Sequence, residues 1–208
     1  MKVASDAWRF FLPVLAGAIA LCFTHFYVMT LAMCLLAGFI LFFFRDPERV
    51  IPAEPNAVVS PADGLLHKID TEWFDAETGE KRTRVSIFLS VFNVHVNRFP
   101  VSGKISKREA REGKFLAAFN HLASEENAQV ALVIDSPYGR ITVKQIVGLI
   151  ARRIVCHAQL GQMAVKGERY GLMRFGSRMD VTVPSSAELK VKVGDKVQAG
   201  STILALLK

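Results

Sequence analysis

Leu189-Lys-Val-Lys-Val-Gly-Asp-Lys-Val-Gln-Ala-Gly-Ser-Thr-Ile-Leu-Ala-Leu206 alternates apolar and polar residues around two glycine turns, one at Gly194-Asp195 and one at Gly200. Alternation with a period of two puts the Val and Leu side chains on one face of an extended chain. The stretch therefore predicts a hairpin closed by Gly194-Asp195 and a further strand opened by Gly200. The same grammar recurs upstream. Residues 65–70, 84–92, 129–134, 141–147, 179–183 and 189–193 read as strands, with a last apolar segment at 202–207. Asp135-Ser-Pro-Tyr-Gly139 lies between two alternating runs, with Pro and Gly where a hairpin turn wants them. Within residues 45–208 only residues 109–123 carry a helical pattern, and no solenoid-type repeat is evident. The expected fold is mainly β (α+β), a flattened barrel-like domain.

The C-terminal turns resemble the flattened barrels of biotinyl and lipoyl carrier domains. Carriers present a lysine at a hairpin tip, commonly beside a methionine, and no Met-Lys pair stands in this stretch. The barrel grammar is therefore read as structural.

The composition adds a second region. The 208 residues carry 26 Lys and Arg against 19 Asp and Glu, for a net charge of +7. A disordered basic tail or a small DNA-binding module does not combine that charge with 51% hydrophobic residues and a mean hydropathy of +0.28, so no nucleic-acid partner is expected. The apolar excess is local. No Asp, Glu, Lys or Arg occurs between Arg9 and Arg45, and eight of the fifteen phenylalanines fall there. As one helix these 35 residues would be about 52 Å long, against a hydrocarbon core of about 30 Å. The run dips in hydropathy at Thr24-His25, so residues 1–44 are read as a membrane helical hairpin with both ends on one side. Lys2, Arg9, Arg45 and Arg49 flank it, which places both ends and the following domain on the cytoplasmic side of the cell membrane. A cleaved signal peptide is excluded by the length of the run and by the lack of a small-residue cleavage site before Arg45-Asp-Pro47.

Past a linker broken by Pro47, Pro52 and Pro55 lies a domain of residues 45–208. Lys2, Asp6 and Arg9 contribute +1 of the total +7, leaving this domain +6. A basic domain held at a bilayer favours anionic lipid, at roughly 1 kcal/mol for each well-placed Lys or Arg. The three cysteines make no disulfide framework, and Cys22 and Cys34 lie in the apolar run. That usage indicates a reducing compartment, and a catalytic role for the third, Cys156, is not favoured.

Nucleotide-binding, zinc and hydrolase signatures are missing, so no metal is expected. Four features remain. Ser60-Pro-Ala-Asp63-Gly64 puts a carboxylate in a turn before a strand; read alone it is an ordinary turn residue. His95 is followed by Asn97, Arg98 and Pro100; a lone histidine among apolar residues is usually structural, yet it offers a proton carrier near neutral pH. Arg152 and Arg153 close an apolar run, and on a strand only one of the two can face a given pocket. Gly167-Glu-Arg-Tyr-Gly171-Leu-Met-Arg174-Phe-Gly176-Ser177-Arg178 interrupts a strand pattern with three glycines. The plain reading is a glycine-rich turn, and the chemical one is a scissile Gly176-Ser177 peptide. A serine after glycine can attack the preceding carbonyl, because glycine lets the peptide deform. Elimination of the resulting ester and hydrolysis leave an N-terminal pyruvoyl group. Such a ketone forms a Schiff base with a substrate amine and acts as the electron sink for loss of CO2.

Taken together, the apolar hairpin, Ser60-Pro-Ala-Asp63-Gly64, Leu89-Ser90 leading to His95, and Gly167-Glu-Arg through Gly176-Ser177-Arg178 resemble the short, prokaryotic-type phosphatidylserine decarboxylases over nearly the whole chain. The resemblance implies a proenzyme that cuts itself between Gly176 and Ser177 into a β chain of residues 1–176 and an α chain of residues 177–208. It implies a pyruvoyl cofactor made from Ser177 and conversion of phosphatidylserine to phosphatidylethanolamine. It maps the family's aspartate to Asp63 and the first histidine of its His-x-x-His motif to His95. Arg98 stands where the second histidine is expected, which leaves the base for Ser177 open among His95, His157 and His67, with His95 first. An anionic head group calls for a guanidinium near the site, and Arg98, Arg152, Arg153 and Arg178 are the candidates. A membrane-anchored, non-enzymatic barrel adaptor and a decarboxylase of another amino-phospholipid are the alternatives. A homo-oligomer stays open.

Overall fold

Freed of charge, the N-terminal run buries its backbone polar groups in helices. The computed structural model describes residues 2–117, 120, 122–149, 153–174 and 176–208 and divides into two units, one ending at Glu48 and one running Arg49–Lys208. In the first, β1 (Lys2–Val3) leads through a single 3-10 turn to α1 (Trp8–Phe23). Then α2 (Tyr27–Phe43) returns to β2 (Arg45–Asp46). Lys2 pairs with Asp46 and Val3 with Arg45, so the two ends of the helical pair meet. The break falls at Thr24 and His25, where His25 takes a φ of 59° and Thr24 Oγ1 donates to the Leu21 carbonyl. Residues Ser5–Phe23 are long and apolar enough to cross a membrane, whereas Tyr27–Phe43 is a shorter apolar helix. Within this unit Leu12, Phe23, Val28 and Leu35 are exposed.

The second unit is β-rich. Its strands are β3 (Ala57–Val59), β4 (Gly64–Asp75), β5 (Glu80–Leu89), β6 (Val96–Arg98) and β7 (Gly103–Arg111). A short helix, α3 (Ala123–Glu126), precedes β8 (Gln129–Ser136) and β9 (Gly139–Ile146). There follow β10 (Ile154–Cys156), β11 (Met163–Ala164), β12 (Arg169–Met173) and β13 (Ser177–Pro184). The chain ends with β14 (Glu188–Leu189), β15 (Lys196–Val197) and β16 (Ile203–Leu206). Among the described residues an eight-stranded curled sheet has the order β11-β7-β8-β9-β13-β5-β4-β15. Two three-stranded sheets, β10-β12-β6 and β14-β16-β3, complete the unit.

Strand β13 sits between β5 and β9 and is buried on both faces. Met179, Val181 and Val183 align with Ile87, Val85 and Thr83, and with Gln145 and Val143 across β9; this is the core side of the sheet. Arg178, Asp180 and Thr182 align with Phe88, Ser86 and Arg84 on the opposite side. One face is thus mostly apolar and the other polar, as strict alternation requires.

Three local expectations are corrected. Residues 109–111 extend β7, with Glu109 opposite Ala131 and Ala110 opposite Val130, and the short helix starts only at Ala123. Residues 118, 119 and 121 of that segment lie outside the described residues. Pairing with β8 outweighs a weak helical propensity. The turn at Gly194-Asp195 closes no paired hairpin: β14 joins β16, whereas β15 joins β4. The turn is held instead by Gly194 N–H on the Leu66 carbonyl and Lys192 N–H on Asp195 Oδ2. The segment 189–193 is therefore extended for little more than Leu189, its C-terminal half being claimed by the turn. At Gly200 the chain does turn into β16, and Asp135–Gly139 does close the β8-β9 hairpin.

Candidate active site

Ser177 opens β13 with its Cα opposite Leu89, at the same end of the sheet where β5 stops and β4 begins. It shares the core phase with Met179 and Val181, and it is wholly buried. Its Oγ has no hydrogen-bond partner among the described residues. A buried hydroxyl left unpaired costs roughly 1–3 kcal/mol. Gly176, just before it, holds a φ of +59°, a left-handed conformation in which glycine escapes the Cβ penalty.

Two backbone ties bring His95 to this end. Leu89 lies opposite Ser177, and six residues later the His95 carbonyl accepts a hydrogen bond from Met173 N–H at 3.2 Å. The intervening turn is closed by Asn93, whose Oδ1 accepts from both Ser90 N–H and Ser90 Oγ at 2.8 Å. Residues 89 and 95 thus grip the two ends of the segment 173–177. His95 is only 2% exposed, whereas His67 and His157 are exposed.

Asp63 immediately precedes β4, and β5 lies between β4 and β13. Two strand spacings put its backbone about 10 Å from that of Ser177. Its Oδ1 and Oδ2 accept from Arg49 Nη2 at 2.9 and 2.7 Å, and Oδ1 also accepts from Ala199 N–H at 2.8 Å. The carboxylate therefore bonds a residue that follows Ser177 by more than twenty positions.

The arginines separate. Arg98 is buried and donates from Nη1 to the Gly167 carbonyl at 2.9 Å. Its Cδ lies 3.0 Å from where a Cβ on Gly200 would stand, so that glycine, at φ +76°, makes room for it. Arg178 lies on the polar face, away from Ser177. Its Nε donates to Asp180 Oδ1 at 2.7 Å and its Nη2 to Ser86 Oγ at 2.8 Å. Arg153 is exposed just before β10, and Arg152 lies outside the described residues. Cys156 and His157, with Arg108, line a cavity of about 510 Å³. Burial pushes the Cys156 thiol up, against the pull of Arg108, which keeps it protonated near neutral pH.

The structure adds Gln145, Asn97 and Arg49. Gln145 Nε2 donates to Asn97 Oδ1 at 2.8 Å across the core. Gln145 was visible as a polar residue in the apolar phase of Ile141, Val143 and Val147, and Asn97 as the residue two after His95. Arg49 carried no such signal in its proline-rich linker.

A family model described as phosphatidylserine decarboxylase matches residues 36–205. The chain belongs to the phosphatidylserine decarboxylase family. A phosphatidylserine decarboxylase proenzyme of Geobacter metallireducens is 45% identical over 205 residues, 94% of each chain. One of Geotalea uraniireducens is 49% identical over 170 residues, 81% of this chain and 79% of the relative. One of Burkholderia cenocepacia is 43% identical over 207 residues, 99% of this chain and 96% of the relative. Family membership thus spans the whole region that contains Asp63, His95 and Ser177.

Proposed function

We infer that the chain is a proenzyme that matures by self-cleavage at Gly176-Ser177 and then decarboxylates phosphatidylserine to phosphatidylethanolamine. The observation that carries the cut is Ser177 Oγ, buried and unspent behind a left-handed glycine. In the cut, Oγ attacks the Gly176 carbonyl carbon and the peptide C–N bond gives way to an ester. Loss of the Ser177 Cα proton breaks the Cβ–O bond, releasing Gly176 as a carboxylate and leaving dehydroalanine. Water converts that enamine to a ketone and frees ammonia. The residues present fit a pyruvoyl group at position 177, since the buried core phase shields it from water. That group supplies a ketone able to engage the substrate amine and to take up the electron pair as CO2 leaves.

His95 is the proton carrier, the base at Ser177 or the donor to the substrate carbon after CO2 departs; its burial and its tie to Met173 support it over His67 and His157. Asp63 is a positioning residue that ties residues before the cut to Ala199 after it. With β13 paired on both sides, the chain of residues 177–208 stays bound to that of residues 1–176. The apolar helical pair serves as the anchor, with the domain on the cytoplasmic side. The +6 domain suits an anionic lipid surface.

Intact mass tests the reading. Purified protein should contain a fragment beginning at residue 177, blocked to Edman sequencing and trapped by hydrazine reagents, and should form phosphatidylethanolamine. An uncut chain with decarboxylase activity overturns it.

A further inference from the structure

Three buried polar groups on the core side remain unspent among the described residues: Ser177 Oγ, Gln145 Oε1 and Asn97 Nδ2. They converge. Gln145 lies opposite Met179 on the neighbouring strand and in the same phase as Ser177, a diagonal neighbour about 7–8 Å away and within reach of a long side chain. Asn97 stands on β6 in the facing sheet, two residues beyond His95. The Gln145–Asn97 bond therefore spans the space between the sheets on which Ser177 and His95 border.

The network also fixes which atoms are left over. Gln145 Nε2 faces two acceptors, the Val155 carbonyl at 3.4 Å and Asn97 Oδ1 at 2.8 Å. A carbonyl can only accept, so the Gln145 amide nitrogen points to it and Oε1 points away. Asn97 must then present its oxygen to Gln145 and its NH2 outward. The couple offers one acceptor and one donor group from a desolvated site, and leaving both unmade is costly. Asn97 and Gln145 are 0% and 1% exposed, so bulk water does not satisfy them.

An acceptor for an ammonium beside a donor for a carboxylate is the pattern demanded by an α-amino-carboxylate. We propose that the Asn97–Gln145 couple is a head-group subsite, Gln145 Oε1 taking the substrate amine and Asn97 Nδ2 the carboxylate that is lost. This rests on the reading of residue 177 as the reacting centre. The couple would give that centre amino-acid selectivity without any arginine on its own face of β13.

The test uses the full chain in detergent micelles with two probes, phosphatidylserine turnover and phosphatidylethanolamine trapped at residue 177 by cyanoborohydride and read by mass. Asn97→Leu should cut normally, raise KM for phosphatidylserine roughly ten- to a hundredfold with kcat within a few-fold, and leave trapping of the carboxylate-free product unchanged. Gln145→Met should raise KM similarly and also weaken trapping. Asn97→Ser and Gln145→Glu serve where the first pair fails to fold. Unchanged KM in cut, active variants overturns the subsite alone. Loss of cutting in all four, with wild type cut, also overturns it by assigning the couple to the cleavage step. A wild-type chain that is uncut or inactive instead sinks the reading of residue 177.

Discussion

Ser177 and Arg178 are neighbours in sequence and stand on opposite faces of the same strand, and their surroundings differ in kind. On the polar face, Arg178 donates to Asp180 and Ser86, while Asp180 also accepts from Ser124 Oγ at 2.6 Å and lies 3.8 Å from Arg84 Nη1. On the core face, Ser177, Gln145 and Asn97 each keep a buried polar atom unmatched among the described residues. The polar face is a charged cluster in which Arg84 Nε and Nη1 also lack a hydrogen bond among the described residues, whereas the unmatched atoms of the core face are neutral and set in an apolar layer. Charge is a poor guide to the candidate site: Arg178, the most conspicuous cation beside Ser177, is committed to Asp180.

The largest effect should come from the core face. Ser177→Ala is expected to leave a single uncut chain on a denaturing gel and to abolish CO2 release, since the proposed ketone is made from Ser177. His95→Ala should cut turnover about 10²- to 10⁴-fold. A chain that is cut but inactive assigns His95 to the substrate proton, and an uncut chain assigns it to Ser177. Wild-type cutting and turnover would return the role to His157 or His67.

The polar face should answer in stability. Asp180→Ala leaves Arg178 without its closest carboxylate in a buried setting, and urea unfolding should show a loss of about 3–5 kcal/mol. A loss below about 1 kcal/mol would break the contrast between the faces. Asp63→Asn removes the charge that Arg49 holds but keeps an acceptor for Ala199, so stability should fall by about 1–3 kcal/mol and self-cleavage should slow, read as the fraction cut over time.

The smallest effect belongs to an exposed pair. The Arg140 guanidinium, bonded to Asp135 at 2.8 Å, holds its carboxyl below the usual carboxylate range. A lowered carboxyl stabilises above its unfolded pKa and loses that contribution as pH falls through the folded one. Asp135→Asn should therefore cost at most about 1 kcal/mol at pH 7, and the gap to wild type should close toward pH 3 in urea titrations.

Alternation is a local property, so sequence alone determined which residues share a face along β8, β9 and β13 and where the helical pair breaks at Thr24-His25. Such reading stops where partners are distant. The pattern at 109–123 looked helical because its propensity is local, and only pairing with β8 made residues 109–111 a strand. The turn at Gly194-Asp195 had hairpin chemistry, but its flanks found β16 and β4, partners that no local signal names. Arg49 meets Asp63 across fourteen residues and Gln145 meets Asn97 across forty-eight. Tertiary structure decided those contacts because they are selected by the joint burial of whole sheets, a free energy summed over many strands that no single stretch of sequence contains.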